Sequence, residues 1–176
     1  AMTLEGNLTG RILKDVQVPV DFTNLTYDNT DLLLSTHFNE GSGAIVGDSS
    51  GKSNHGTFLQ AAAWEFGKES NALKFDGQND CVKIPASPSL KLEDRVSILL
   101  WFKWDGGNDR QALISRSEEC ASEGSYNLYV EGGKLQLSYG VQGSLKTVWQ
   151  LSNTLDQNQW KHVGVTLRYS TGEVMA

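Results

Sequence analysis

The chain has 176 residues, with 15 basic against 21 acidic side chains and a net charge of -6. That length supports one domain with a real core, and the acidic balance argues against nucleic acid as a partner, because phosphate binding needs a basic surface. Glycine is abundant (18) and proline scarce (3), as in chains of many strands and tight turns, and no run approaches the roughly 18 apolar residues of a membrane span.

Residues 1–30 are polar and loosely patterned. Val16, Val18 and Val20 alternate, but Pro19 confines any strand there to an edge. Two sequons, Asn7-Leu8-Thr9 and Asn24-Leu25-Thr26, are acceptors for glycosylation in a suitable host. This stretch reads as a linker or a leading strand, and the domain proper as residues 31–176. Asp31 to Phe38 is the first predicted strand. "NEGSGAIVGDSSGKSNHGTF" then brings three turn clusters around short apolar pieces. In it Asp48, Ser50, Asn54 and the backbone of Gly56 gather several oxygens within one loop. Calcium wants about six to eight oxygen ligands, so the loop is either a cation site or an Asx-turn loop. Acidic residues do not recur at alternate positions, which excludes an EF-hand.

Trp64 and Phe66 predict a short core strand. Leu73 and Phe75 alternate with polar neighbours, as do Val82 and Ile84, around the turn Asp76 to Asp80. That is the period of half-buried strands. Val96 to Trp104 is apolar on both faces and predicts a central strand covered on both sides. A short helical turn fits near Pro88–Glu93, and no segment sustains a 3.6-residue period. "QALISR" is a strand. In "YNLYVEGGKLQLSYG", Tyr126, Leu128 and Val130 face Leu135, Leu137 and Tyr139 across Gly132-Gly133, the clearest hairpin of the chain. "SLKTVWQL" follows as a strand. In "WKHVGVTLRY", Val163, Val165 and Leu167 alternate with His162, Gly164, Thr166 and Arg168. The expected fold is therefore all-β, with Leu73, Ile98, Leu100, Leu128, Val130, Val163, Val165 and Leu167 in the core, joined by Phe75, Val82 and Ile84. Cys81 and Cys120 are either one disulfide bridge or two free thiols.

"HFNEGSGAIVGDSSGKSNHGTF", "ALKFDGQNDCVKIPASPSL", "VSILLWFKW" and "WKHVGVTLRYSTGEV", in that order, resemble the laminin-G-like domains of the concanavalin A-like jelly-roll superfamily. The resemblance spans residues 31–176. It implies a two-sheet antiparallel jelly-roll sandwich and a non-catalytic, extracellular or cell-surface module that binds carbohydrate. The other roles it implies are a protein-binding adhesion module or an accessory domain of a glycan-degrading enzyme. Related domains often hold a structural calcium ion near the loop of Asp48, Ser50, Asn54 and Gly56, with help from a later acidic residue. Relatives also continue past the strand that opens at Val174, so the sandwich is expected to lack its last strands here.

Catalysis is weakly supported. Glycosidases need two carboxyls roughly 5–9 Å apart, and enzymes of this fold often place them two residues apart on one strand. No two Asp or Glu residues of the chain stand two apart. Nothing orients His162 toward a nucleophile. Sugar sites combine an aromatic platform with a few polar groups; Trp101, Trp104, Tyr129, Trp149, His162 and Arg168 are candidates by alternation, and Trp149, His162, Arg168 and Tyr129 are the ones retained. Trp101, Trp104 and Trp160 are expected in the core. The expected partners are a carbohydrate or an extracellular protein, without nucleic acid and without membrane insertion.

Overall fold

A computed structural model describes residues 2–5, 31–59, 62–91, 94–116, 126–141 and 144–176. Its strands are β1 (Met2–Glu5), β2 (Ile45–Val46), β3 (Gly56–Leu59), β4 (Ala63–Phe66), β5 (Asn71–Phe75), β6 (Cys81–Lys83) and β7 (Arg95–Trp104). They continue with β8 (Gln111–Ser115), β9 (Tyr126–Glu131), β10 (Lys134–Val141), β11 (Ser144–Gln150), β12 (Trp160–Arg168) and β13 (Glu173–Met175). A 3-10 turn, Pro88–Leu90, is capped by the Ser87 side chain. Among the described residues the strands form three sheets: β13-β12-β7-β1-β5-β4, β11-β10-β9-β8 and β2-β3-β6. Every pairing is antiparallel. The molecule is an all-β sandwich of the jelly-roll kind.

β7 is its spine, internal to the six-stranded sheet between β12 and β1. Ile98, Leu100, Phe102 and Trp104 point to one face and are buried. Val163, Val165 and Leu167 of β12 join them, because register pairs Val163 with Leu100 and Val165 with Ile98. The four-stranded sheet answers with Leu113, Leu128, Val130, Leu135 and Leu137 in the same core. Two inner faces that alternate in and out in this way are what a sandwich requires. Phe58 of β3 meets Trp64 of β4 with ring centroids 5.3 Å apart, which ties the small sheet to the β4 end of the large one.

The β9–β10 hairpin follows the sequence pattern. Val130 pairs with Leu135, Leu128 with Leu137, and Tyr126 with Tyr139. Gly132 and Gly133 both have positive φ, 56° and 73°, the backbone that a two-residue primed turn demands and that glycine adopts without strain. A register shift in β8 between Ala112 and Ile114 lets Leu113 and the partly buried Ile114 both reach the core.

Four expectations are corrected. Asp31–Phe38 is not a strand; Thr36 makes only one isolated bridge, to Asp48. The backbone there is spent on the following loop: the Leu33 carbonyl accepts from Asn54 Nδ2, and the Ser35 N–H donates to Asp48. Phe66 is 91% exposed, since β4 is a sheet edge among the described residues. The second face of β7 is not fully covered either. Leu99 and Trp101 are half-buried, so one side of the six-stranded sheet meets solvent. Phe75, Val82 and Ile84 are likewise half-buried.

Candidate binding site

The loop of residues 47–56 is organised by one carboxylate. Asp48 Oδ1 accepts from the N–H groups of Ser35 and Ser50, both at 2.9 Å. Its Oδ2 accepts from Ser50 Oγ at 2.7 Å and from the Asn54 N–H at 2.8 Å. Burial alone would raise the Asp48 pKa, but the hydrogen bonds from Ser35, Ser50 and Asn54 outweigh it, and the carboxyl titrates below its ordinary value. The Asp48 N–H in turn donates to His55 Nδ1 at 3.0 Å. Asn54 is buried, its Nδ2 donating to the Leu33 carbonyl and to Ser89 Oγ, while its Oδ1 accepts from Ser89 Oγ. Gly56 opens β3, where an added Cβ would come within 2.6 Å of Val82 Cγ1; close packing explains this glycine.

This donor set does not fit a calcium ion. Both Asp48 oxygens, the Ser50 hydroxyl and the Asn54 carbonyl are already engaged with protein donors. Asp76 and Asp80 bond within their own turn, Asp76 Oδ1 accepting from the Gln78 N–H and Asp80 Oδ2 from the Asp76 N–H. Among the described residues no group of three or more His, Cys, Asp or Glu is placed to hold a metal. The arrangement is that of an Asx turn extended into a clasp.

Gly47-Asp48-Ser49-Ser50-Gly51 has the Gly-x-Ser-x-Gly spacing of serine hydrolases, and Ser49 Oγ lies 2.9 Å from His37 Nε2. Ser49 Oγ is also within hydrogen-bond reach of the Ser35 carbonyl, at 3.1 Å, a second acceptor for its proton. The segment also leads from a loop into β3, not from a strand into a helix, so it lacks the geometry of a nucleophile elbow.

The four ligand candidates do not converge. Tyr129 is fully buried; its hydroxyl donates to Gln136 Oε1 at 3.1 Å, and the Arg110 guanidinium lies 4.4 Å from its ring centre. Trp149 packs half-buried against the main core. Arg168 is held by Asp94 at 3.9 Å and Glu173 at 3.3 Å. His162 alone of the four is exposed with its ring free of ion pairs among the described residues, on the solvent face of β12.

That face carries aromatics the sequence reading assigned to the core. Trp104 is indeed core, but Trp101 and Trp160 point the other way. Trp101 and His162 are register partners with ring centroids 4.9 Å apart and planes at 39°. Lys68 Nζ stands 4.5 Å from the Trp101 ring centre, and Lys103 Nζ 5.4 Å from that of Trp160. Such cation–π contacts are worth about 0.5–1 kcal/mol at exposed sites. Further along, Ser97 Oγ and Thr166 Oγ1 meet at 2.9 Å, with Gly164 and Leu99 between the two ends. The result is an open strip of aromatic, cationic and hydroxyl groups on a rigid sheet.

Cys81, at the start of β6, is disulfide-bonded. Cys120 lies outside the described residues, as do the two sequons and the Val16–Val20 alternation.

A family model of laminin-G-like domains, described as the concanavalin A-like lectin/glucanases superfamily, matches residues 76–175. The chain belongs to this superfamily. No curated protein and no solved structure matches it. The matched part of this laminin-G-like chain runs from β6 to β13 and contains Trp101, Trp160 and His162; the Asp48 loop precedes it. Domains of this family are typically non-catalytic binding modules. Among the described strands β1, β4, β9 and β13 carry one carboxylate each and none carries two. No helix among the described residues is long and apolar enough to cross a membrane.

Proposed function

We propose that this chain is a non-catalytic carbohydrate-binding module of a secreted or cell-surface protein, and that it binds through the solvent face of β7 and β12. The observation that carries the reading is the Trp101–His162 pair. An indole on a flat, solvated sheet offers the apolar surface on which the C–H face of a pyranose ring stacks. An imidazole and the Ser97–Thr166 hydroxyls beside it supply hydrogen bonds that fix orientation. Membership of a superfamily of lectins and glucanases supports the ligand class, and a disulfide-bonded Cys81 supports an oxidising compartment. The test is isothermal titration with cellohexaose, xylohexaose, mannohexaose, chitohexaose and laminarihexaose. Binding that Trp101→Ala removes without lowering the melting temperature supports the reading. Binding by none of them, or binding that survives the substitution, overturns it.

A second reading, a protein-binding adhesion module, is favoured by Phe66 and Ile45, which stand 91% and 62% exposed. Phe66 ends β4, an edge strand of the six-stranded sheet among the described residues, and a sheet edge is where another chain can add. Retention of a matrix protein by wild type, lost in Phe66→Ser while Trp101→Ala retains it, would select this reading.

A further inference from the structure

We infer that Gly164 is a specificity-determining residue of the saccharide face, its missing side chain leaving the floor of one sugar subsite. This rests on the carbohydrate reading above and deepens it. Glycine in the interior of a strand weakens it and often marks a place where a ligand or another backbone comes close. β12 is internal, flanked by β7 and β13. Among the described residues nothing calls for glycine at this point. Its φ lies outside the left-handed region, and an added Cβ would meet only Leu99 Cγ and Cδ2, at 3.8 and 3.9 Å. That is ordinary van der Waals contact, and the position is exposed.

What the glycine does is open the strip. On the solvent face of β12 the row runs Trp160, His162, Gly164, Thr166, Arg168, and successive members are roughly 7 Å apart. A gap of roughly 14 Å therefore separates His162 from Thr166, with only Leu99 across from it on β7. One end is walled by the Trp101–His162 pair and the other by the hydrogen-bonded Ser97–Thr166 hydroxyls. The half-buried Leu99 is the apolar floor. A ring of a neutral oligosaccharide laid there has its C–H face on Leu99 and the Gly164 backbone. Its hydroxyls are then in reach of His162 at one end and the Ser97–Thr166 pair at the other. A branched side chain at residue 164 would stand where that ring lies.

The experiment compares wild type, Gly164→Thr, Gly164→Ala and Trp101→Ala by thermal melting and by titration with the same five hexasaccharides. Gly164→Thr is expected to melt no lower than wild type and to bind at least about tenfold more weakly, with Gly164→Ala between them. Wild-type affinity in Gly164→Thr, while Trp101→Ala loses binding, overturns the inference and leaves the carbohydrate reading standing. If wild type binds none of the five, the reading falls and the inference with it. If Gly164→Thr melts lower, Gly164→Ala decides: weaker binding with an unchanged melt supports the inference, and wild-type affinity overturns it.

Discussion

Trp101 of β7 and His162 of β12 face each other across one register pair, their rings 4.9 Å apart on the solvent side of the six-stranded sheet. Their strand neighbours Phe102 and Val163 point inward and are buried. The same alternation that builds the core thus sets an aromatic pair on a rigid outer surface. Loops would hold such a pair less firmly, because surface connections are the more mobile part of a fold.

Asp48 holds its loop by four hydrogen bonds. Asp48→Ala leaves three backbone donors without a partner and is expected to destabilise the protein by about 2–4 kcal/mol. The Asp48 pKa is depressed in the folded state. Its contribution is therefore complete above the unfolded value of about 3.9 and disappears as pH falls through the lower folded value. The stability gap between wild type and Asp48→Ala should close in that acid range. The depressed Asp94 and Asp156 are common to both proteins and cancel. Parallel pH profiles would contradict this role.

The calcium site expected at Asp48, Ser50, Asn54 and Gly56 is tested by melting in millimolar calcium against chelator. An ion binding only the folded form adds about 2.7 kcal/mol at a hundredfold excess over Kd, or about 5–10 °C in a chain of this size. The occupied donors predict coincident curves. A shift of that size, absent in Asp48→Ala, would show that the loop rearranges to take the ion.

The Tyr169 hydroxyl is buried with no hydrogen-bond partner among the described residues, and burial pushes its pKa upward. Its ring packs edge-on to Tyr139, centroids 6.1 Å apart. Tyr169→Phe keeps the ring and removes the unpaired group. Stability should stay level or rise by up to about 1 kcal/mol. A loss of similar size would mean that the hydroxyl is satisfied in solution.

Most of the fold was legible because period two is a local signal. The β9–β10 hairpin could be read residue by residue from Tyr126 to Tyr139, and the inward set Ile98, Leu100, Val163, Val165 and Leu167 from alternation alone. The failures lie where the outcome depends on distant partners. Asp31–Phe38 looks like a strand, but the side chains of Asp48 and Asn54 take its backbone groups. Alternation placed Trp101 opposite Phe102 yet carried no information on whether anything would cover it. Gly164 became informative only once register set it against Leu99. Of the ligand candidates, alternation placed His162 correctly on the outer face, whereas Tyr129 sits in a strand buried on both faces. The Ser49–His37 contact joins residues whose proximity only the folded loop creates.

Cys81 is disulfide-bonded, and Cys120 is the only other cysteine of the chain. Non-reducing peptide mapping is expected to join these two. Such a bridge closes a loop of about 40 residues, and its reduction should cost on the order of 3–4 kcal/mol. Two alkylatable thiols in the native protein would contradict it.

The central claim is that a saccharide binds the solvent face of β7 and β12. Backbone chemical-shift mapping tests it most directly, by titrating isotope-labelled protein with the tightest-binding hexasaccharide and following each amide. The account predicts the largest shifts at Trp101, His162, Gly164 and Thr166, saturating together, with the loop from Asp48 to Gly56 unmoved. Shifts centred on Tyr129, Gln136 and Arg110, or on the Asp48 loop, with Trp101 and His162 silent, would contradict it.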